Sequence, residues 1–284
     1  MTEASGEAAN QAQIDYWNTL AGLVWVRFQA QLDRQIEPLG QAAMEALAPV
    51  PGERILDIGC GCGQTTLTLA ARVAPGGAVL GVDISEPMLE VARHRPRSAA
   101  DLPVTFEKRD AQTAELGHGM FDAVFSRFGV MFFSDPVAAF ANIRAGLKAS
   151  GRLTFVCWRP LSENPWMAAP LAAARHLLPP MPPPDPLAPG PFAFADPERV
   201  RGILAAAGFQ SVSIAPFDAR VGGGDLEETV TLSLNVGPMA TALRENPDSR
   251  EAVAEAVRGV LASYLTGQGV MMPAAVWIVK AMNG

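Results

Sequence analysis

Short apolar runs alternate with segments of helical periodicity along most of the chain. The apolar runs are rich in Val, Ile, Leu and Phe, which is typical of buried strands. The predicted strands cover residues 54–58, 78–83, 104–108, 121–126, 152–157, 211–217 and 274–282. The predicted helices between them cover residues 64–73, 86–95, 135–147, 166–178, 196–207 and 250–265. This alternation favours an α/β fold in which mostly parallel strands are joined by helical crossovers.

Three stretches fall outside this rhythm. Residues 1–50 have helix-forming composition from Ile14 to Leu47 and predict an N-terminal helical segment. Residues 179–191 are so rich in proline that we interpret them as a stiff connector. Residues 221–271 predict a helical cap inserted before the last strand. The predicted core therefore comprises residues 51–220 together with residues 272–284.

Composition and charge narrow the function. The chain has 284 residues, of which 49% are hydrophobic and 18% are charged, and this is typical of a globular protein. The net charge of −7 opposes binding to nucleic acid. The polar N-terminus predicts no secretory signal, and no apolar run is long enough to predict a membrane span. Three cysteines without zinc or disulfide spacing are consistent with a reducing cytoplasm, and we predict no metal site.

The most informative motif follows the first predicted strand. Gly59, Gly61 and Gly63 lack a Cβ atom, so a ligand can approach the main chain closely. Their G-x-G-x-G spacing differs from the G-x-G-x-x-G loop that cradles a pyrophosphate. Asp57 lies two residues before the first glycine, where its carboxylate would repel a phosphate and attract a cation.

At these residues the chain resembles the class I S-adenosylmethionine-dependent methyltransferases, whose ligand carries an ammonium and a sulfonium. The resemblance is strongest from residue 52 to residue 158 and is closest to the ubiquinone/menaquinone-type small-molecule enzymes. It implies a Rossmann-like, seven-stranded, mostly parallel sheet with helices on both faces. Cys62 departs from the Thr or Ser that is frequent in the family motif.

Two further acids follow the next predicted strands. Asp83 ends the second strand about 20 residues after the glycine loop, where an acid accepts hydrogen bonds from ribose hydroxyls. The resemblance implies that Asp110, after the third strand, addresses the adenine edge together with its neighbour. Because parallel strands end at one edge of a sheet, we expect the acids at 57, 83 and 110 to lie along one elongated ligand.

The candidate site residues form two groups. The resemblance implies that the cofactor S-adenosyl-L-methionine is bound by residues at the predicted strand ends and the loops after them: Asp57, Gly59, Cys60, Gly61, Gly63, Gln64, Thr65, Asp83, Ile84, Met88, Asp110, Ala111, Gln112, Ser126, Arg127 and Phe128. The candidates for a substrate pocket are Trp17, Trp25, Met131 and Trp158. Catalytic residues stay unassigned; His118 is the best placed of the three histidines but has no persuasive acid partner.

The sequence thus predicts in-line transfer of a methyl group from S-adenosylmethionine to a small molecule. The strand-four end reads SRFGVMFF instead of the Pro-Pro-aromatic turn used on base amines, so nucleic acid is again an unfavourable substrate. Methionines in the predicted cap, Met239 and Met271, suit a roof over an apolar or aromatic substrate. Two alternatives stay open: a non-catalytic regulator or partner subunit that binds the same cofactor, and an NAD-dependent oxidoreductase. We also consider that two copies of the chain form a homodimer.

Overall fold

The computed structural model describes residues 3–96, 103–179 and 185–284. Its strands are β1 (Arg54–Ile58), β2 (Ala78–Asp83), β3 (Val104–Lys108), β4 (Phe121–Arg127), β5 (Leu147–Trp158), β6 (Gln210–Gly224), β7 (Leu265–Thr266) and β8 (Gly269–Met282). Its helices are α1 (Glu3–Thr19), α2 (Ala21–Arg27), α3 (Gln29–Leu47), α4 (Gln64–Val73), α5 (Glu86–His94), α6 (Pro136–Gly146), α7 (Pro165–Ala174), α8 (Pro197–Ala206), α9 (Leu226–Asn235), α10 (Pro238–Glu245) and α11 (Arg250–Ala262).

The strands form one mixed sheet in the order β3-β2-β1-β4-β5-β8-β6. β1 to β5 pair in parallel, whereas β8 runs antiparallel to both of its neighbours. This confirms the predicted Rossmann-like fold of mostly parallel strands and flanking helices. Among the described residues the sheet has eight strands where seven were predicted, because the two-residue β7 adds a short antiparallel pair to β8.

The order of the strands positions the edge where a ligand is expected. β1 lies between β2 and β4, so the chain leaves the middle of the sheet in opposite directions on either side of it. Such a reversal opens a crevice at the carboxyl ends of the strands. We call these ends of β1 to β4, with the loops that follow them, the carboxyl edge.

The N-terminal segment is helical, as the sequence predicts, but it is divided into three helices. Breaks near Leu20 and Phe28 separate α1, α2 and α3. The apolar face of α3 packs into the main core through residues such as Ile36 and Leu39. Its end at Ala48 has a left-handed backbone, with φ of 52°. The segment therefore lies against the sheet instead of extending away from it.

The last two long strands are longer than the sequence pattern indicates. Gly222, Gly223 and Gly224 belong to the predicted cap, yet they continue β6 through a register shift opposite Met271 and Val270. A Cβ atom on Gly222 would lie 2.0 Å from the Val270 carbonyl oxygen, so only glycine fits this close pairing. The antiparallel β6–β8 pair consequently extends well beyond the neighbouring sheet.

The segment between these strands contains α9, α10 and α11, which we call the three-helix segment. Its buried side chains, including Val230, Met239 and Val257, form a second apolar cluster with α7 and the start of β8. The predicted helix over 166–178 is shorter in the structure: α7 ends at Ala174 and one 3₁₀ turn follows.

Two sequence expectations meet the edge of what the structure describes. In the predicted proline-rich connector, residues 180–184 lie outside the described residues, and residues 185–191 form turns and bends. Across residues 3–96, 103–179 and 185–284, no helix has both the length and the apolar character needed to cross a membrane.

Candidate functional site at the carboxyl edge

The loop between β1 and α4 is built around its glycines. Gly59, Gly61 and Gly63 have φ values of 65°, 53° and 83°, which side chains rarely adopt. A Cβ atom on Gly59 would lie 2.7 Å from the Gly129 Cα, and one on Gly61 would lie 2.7 Å from the Met88 Cε. These glycines allow the loop to turn sharply and to pack directly on neighbouring main chain.

Asp57 is completely buried at the end of β1. Its Oδ2 accepts hydrogen bonds from the Thr65 and Thr66 hydroxyls, both at 2.7 Å. Its Oδ1 is buried and has no hydrogen-bond partner among the described residues. Burial raises the pKa of Asp57 from 3.8 to about 6, and the two threonine hydrogen bonds oppose this rise. A buried carboxylate oxygen that lacks a donor fits a ligand that brings one, such as an ammonium group.

Asp83 ties the glycine loop to the end of β2. Its Oδ2 accepts a hydrogen bond from the Gly61 amide at 2.8 Å, and its Oδ1 accepts one from the Ser85 amide at 2.9 Å. Burial raises the pKa of this carboxyl, and the backbone hydrogen bonds lower it. Each carboxylate oxygen can accept more than one hydrogen bond, so both retain capacity for a pair of ribose hydroxyls.

Asp110 follows β3 and is held from both sides. Its Oδ1 accepts from the Gln112 amide at 2.9 Å, and its Oδ2 accepts from the Asn10 Nδ2 at 2.7 Å. Sequence reasoning missed Asn10, which lies on α1 and is 2% exposed. The side-chain carbonyl oxygens of Asn10 and Gln13, one helical turn apart, are buried without a partner in the described part of the chain. They are suitable acceptors for an exocyclic amine.

The Arg127 side chain forms hydrogen bonds with other residues of the protein. Its guanidinium donates to Gln64 Oε1 at 2.5 Å and to Asp33 Oδ1 at 3.3 Å. Asp33, on α3, also pairs with Arg95 at 2.7 Å. Burial lowers the pKa of Arg127, while the Asp33 charge opposes this effect. The network links the N-terminal segment to the carboxyl edge, and nothing in the sequence around residue 33 signals it.

The remaining predicted cofactor residues lie around the same edge. Ser126 is buried and its Oγ accepts from the Gly129 amide at 3.2 Å. Ile84 accepts a hydrogen bond from Asn18 at 2.8 Å, and Ala111 accepts one from Asn142 at 2.9 Å. Burial raises the pKa of the Cys60 thiol well above its usual value, so this cysteine is a neutral filler of the loop.

Aromatic rings surround the end of β4. Phe128 has a φ of 64° and stacks on Trp158, with 4.2 Å between centroids and 7° between planes. Trp158 in turn lies 5.0 Å from Trp166 on α7. The Trp17 ring lies 5.1 Å from Phe132 and 6.1 Å from Trp25. α2 and the end of α1 are thereby fixed over the loop that follows β4.

A small apolar cavity lies behind these rings, between α3, α7, the three-helix segment and the far ends of β6 and β8. Its walls include Leu32, Gln35, Trp166, Met239 and Met272. None of the four residues predicted for a substrate pocket, Trp17, Trp25, Met131 and Trp158, is among those that line it. Met131 is packed in the main core, and Trp158 lies one ring away from the cavity.

His118, the best placed of the three histidines in the sequence, does not lie at the carboxyl edge. His118 precedes β4, so it lies at the amino-terminal end of the strand, opposite the carboxyl edge. Within the described ranges, no group of three or more His, Cys, Asp and Glu side chains is arranged to hold a metal ion.

Comparison with known proteins agrees with this geometry. A family model described as a methyltransferase domain matches residues 55–151. A demethylmenaquinone methyltransferase from Thermus thermophilus is 34% identical over 175 residues, which cover 58% of this chain and 77% of that enzyme. The chain therefore belongs to the class I S-adenosylmethionine-dependent methyltransferases, and S-adenosylmethionine is the cofactor of this family.

Two other relatives are named for small-molecule methylation. Nocamycin O-methyltransferase from Saccharothrix syringae is 29% identical over 246 residues, covering 81% of this chain and 85% of the relative. Aklanonic acid methyltransferase DauC from Streptomyces sp. strain C5 is 35% identical over 118 residues, covering 42% of this chain. The chain aligns with only 54% of the length of this second relative.

A solved structure shows the same fold. Phosphoethanolamine N-methyltransferase 2 from Haemonchus contortus, in complex with S-adenosyl-L-methionine, superimposes with a TM-score of 0.53 at 20% identity. The match covers 86% of this chain and 52% of that protein. At this identity the likeness is evidence for the architecture alone.

Proposed function

We propose that this protein transfers a methyl group from S-adenosylmethionine to a small apolar or aromatic acceptor. The observation that carries the proposal is the line of acids at the carboxyl edge. Asp57 offers a buried oxygen without a donor, Asp83 holds the glycine loop, and Asp110 meets the N-terminal helix. In this proposal they address the amino-acid, ribose and adenine parts of the cofactor, in that order.

The other residues proposed for the cofactor act through the main chain or through packing. The loop glycines bring bare backbone against the ligand. Gln64 and Arg127 brace α4 against α3. When bound, S-adenosylmethionine supplies a methyl group on a positively charged sulfur, which needs no further activation. The chain contributes orientation and exclusion of water, for which the aromatic rings after β4 are suited.

The nature of the acceptor is inferred from two sources. The relatives are named for demethylmenaquinone, aklanonic acid and nocamycin, and the cavity beside Phe128 and Trp158 has apolar walls. We also propose that the protein is cytoplasmic, because its three cysteines are buried and form no disulfide. Residues 226–262 would then roof the acceptor site.

Isothermal titration calorimetry tests cofactor binding. We expect S-adenosylmethionine and S-adenosylhomocysteine to bind and NADH not to bind. Asp83→Ala should weaken binding of S-adenosylhomocysteine by more than about tenfold, because ribose hydrogen bonds to a charged acceptor are lost. Glu255→Ala, which removes an exposed carboxylate from α11, is the matched control and should bind like the wild type.

Turnover separates the enzyme from a non-catalytic binder. Release of S-adenosylhomocysteine in the presence of phenolic or quinol acceptors is the expected result. Tight binding of S-adenosylmethionine without release across such a panel would favour the regulator or partner subunit instead. Binding of NADH, with no binding of S-adenosylmethionine, would contradict the proposal entirely.

A further inference from the structure

The apolar cavity contains polar groups that the fold leaves without partners. Gln35 lines it, is only 8% exposed, and makes no hydrogen bond through its side chain within the described residues. Trp166 also lines it, and its Nε1 is a buried donor with no partner in the same ranges. Two further polar residues line it: Thr229, which already donates to the Asp225 carbonyl at 2.7 Å, and Ser233, which is half-buried. Buried polar groups are nearly always paired, so the indole nitrogen of Trp166 points to an absent ligand, and the Gln35 amide lines the same cavity.

The walls of the cavity define the chemistry of that ligand. Among the described residues that line the cavity none carries a charge, and leucine, valine, proline and methionine side chains form most of the surface. A charged molecule would lose its hydration without compensation in such a site. An uncharged molecule with an apolar body and one oxygen substituent would gain from burial, and its oxygen would accept a hydrogen bond from the indole nitrogen.

The cavity is connected to the carboxyl edge by aromatic rings. Trp166 contacts Trp158, which stacks on Phe128. Phe128 adjoins Gly129, whose Cα limits the space beside Gly59 in the glycine loop. A ligand held in the cavity is therefore close to the edge assigned to the cofactor.

The cavity must adjust to take a ring system. The volume open to the centre of a water molecule is about 40 Å³. One water needs roughly 10–15 Å³ by this measure, so the cavity has room for a few waters and not for a ring system. Met167, Met239 and Met272 line the walls, and methionine has three rotatable bonds with which to change the shape of a pocket. Adjustment of these side chains is less costly than movement of the sheet.

We propose that this cavity is the acceptor pocket and that it takes an uncharged aromatic molecule bearing a hydroxyl or carbonyl oxygen. Gln35 and Trp166 are specificity-determining residues. The indole Nε1 donates a hydrogen bond to the acceptor oxygen, and the Gln35 amide either donates a second one to this oxygen or accepts one from the acceptor hydroxyl. This inference rests on the proposed methyl-transfer function and adds to it the class of acceptor and the residues that select it.

A pair of matched probes tests the inference. Binding of 2-naphthol and of naphthalene, which differ by one oxygen, is measured by calorimetry in the presence of saturating S-adenosylhomocysteine. We expect Gln35→Leu and Trp166→Phe each to weaken binding of 2-naphthol about tenfold, as for loss of one buried hydrogen bond, and to change naphthalene binding by less than about twofold. Gln268→Leu removes an exposed amide on the β7–β8 turn and should change neither.

A stability measurement accompanies the binding data. Gln35 has no hydrogen bond to lose, so Gln35→Leu should melt at the wild-type temperature or above it. This variant keeps the test valid if Trp166→Phe fails to fold. Equal affinity of the wild type for both probes, or unchanged binding of 2-naphthol by Gln35→Leu, would overturn the inference.

The two proposals can fail separately. If the wild type binds S-adenosylhomocysteine but not 2-naphthol, the assignment of the acceptor pocket is wrong and the methyl-transfer proposal is untouched. If the wild type does not bind S-adenosylhomocysteine, the methyl-transfer proposal itself is contradicted.

Discussion

The carboxyl edge and the three-helix segment achieve their order by different means. At the carboxyl edge, hydrogen bonds to Asp57, Asp83 and Asp110 hold loops in place, and the glycines there leave no room for a Cβ atom. In the three-helix segment, apolar side chains form the contacts, and a Cβ atom on Gly259 would meet nothing within 4 Å. One region fixes positions through directional bonds and close backbone contacts, whereas the other fills space.

The difference indicates how each region tolerates change. Hydrogen bonds to the main chain depend strongly on distance and angle, so they suit a ligand of constant shape. Adding or removing one atom at such a site breaks them. Apolar packing is less directional, and it accepts other side chains if total volume is kept. We therefore expect small substitutions to have large effects at the carboxyl edge and small or favourable effects in the three-helix segment.

The largest expected effect comes from adding one methyl group. Gly59→Ala should lower the free energy of unfolding by about 2–4 kcal/mol, because alanine is strained at φ of 65° and its Cβ would meet Gly129 at 2.7 Å. Gly259→Ala, on the exposed side of α11, should raise it by about 0.5–1 kcal/mol through helix propensity. Urea unfolding monitored by circular dichroism measures both. Equal effects of the two substitutions would remove the contrast between the regions.

A smaller effect is expected from the buried charge of Asp57. Its pKa in the folded protein, about 6, lies above its ordinary value of 3.8. The folded state therefore binds the proton first as pH falls, and stability lost to burial of the charge is regained below pH of about 6. Between about pH 7.5 and pH 5, the wild type should gain about 1.4 kcal/mol of stability relative to Asp57→Asn.

The free energies of unfolding of the wild type and of Asp57→Asn are measured with urea at both pH values. Titration of every other group contributes equally to the two proteins, so the difference between them reports on Asp57. A gain of the same size in both proteins would show that other groups are responsible. Ligand binding gives a second test, because an ammonium group favours the ionised form of Asp57. The affinity of the wild type for S-adenosylhomocysteine should fall as the pH drops through about 6, and that of Asp57→Asn should not.

The smallest expected effect separates two asparagines. Asn10→Ala removes the hydrogen bond from α1 to Asp110 and should weaken binding of S-adenosylhomocysteine about threefold to tenfold. Asn235→Ala, at the end of α9, removes a hydrogen bond to the Thr231 carbonyl and one from Arg250, both away from the carboxyl edge, and should leave this affinity unchanged. Calorimetry on both variants measures the difference. A loss of affinity in Asn235→Ala as large as in Asn10→Ala would contradict the assignment of α1 to the site.

Sequence reasoning predicted the part of the site whose signals are local. The glycine loop, Asp57 and Asp83 lie at or directly after strands, so strand positions alone bring them to one edge of the sheet. The family comparison confirmed the class of enzyme and its cofactor. The assignment of individual residues to parts of the cofactor stays a prediction.

The rest depends on contacts between distant parts of the chain. Asn10 and Asp110 are 100 residues apart, and Asp33 and Arg127 are 94 apart. Their pairing follows from how α1 and α3 pack, which polar residues on a helix do not reveal. The cavity brings together α3, α7 and β8, so no window of sequence contains it. The sequence placed Gly222, Gly223 and Gly224 in the predicted cap, because their strand pairing is set by Val270 and Met271, nearly 50 residues later.

The antiparallel pairing of β6 with β8 has a consequence for how such a chain diversifies. The ladder extends to Gly224 opposite Val270, so the 225–268 insertion begins and ends at adjacent points of the sheet. An insertion with neighbouring ends can be lengthened, shortened or exchanged without altering the strands that carry it. Under the proposal that the three-helix segment roofs the acceptor site, selection for a new acceptor can act on these helices without any change at the carboxyl edge.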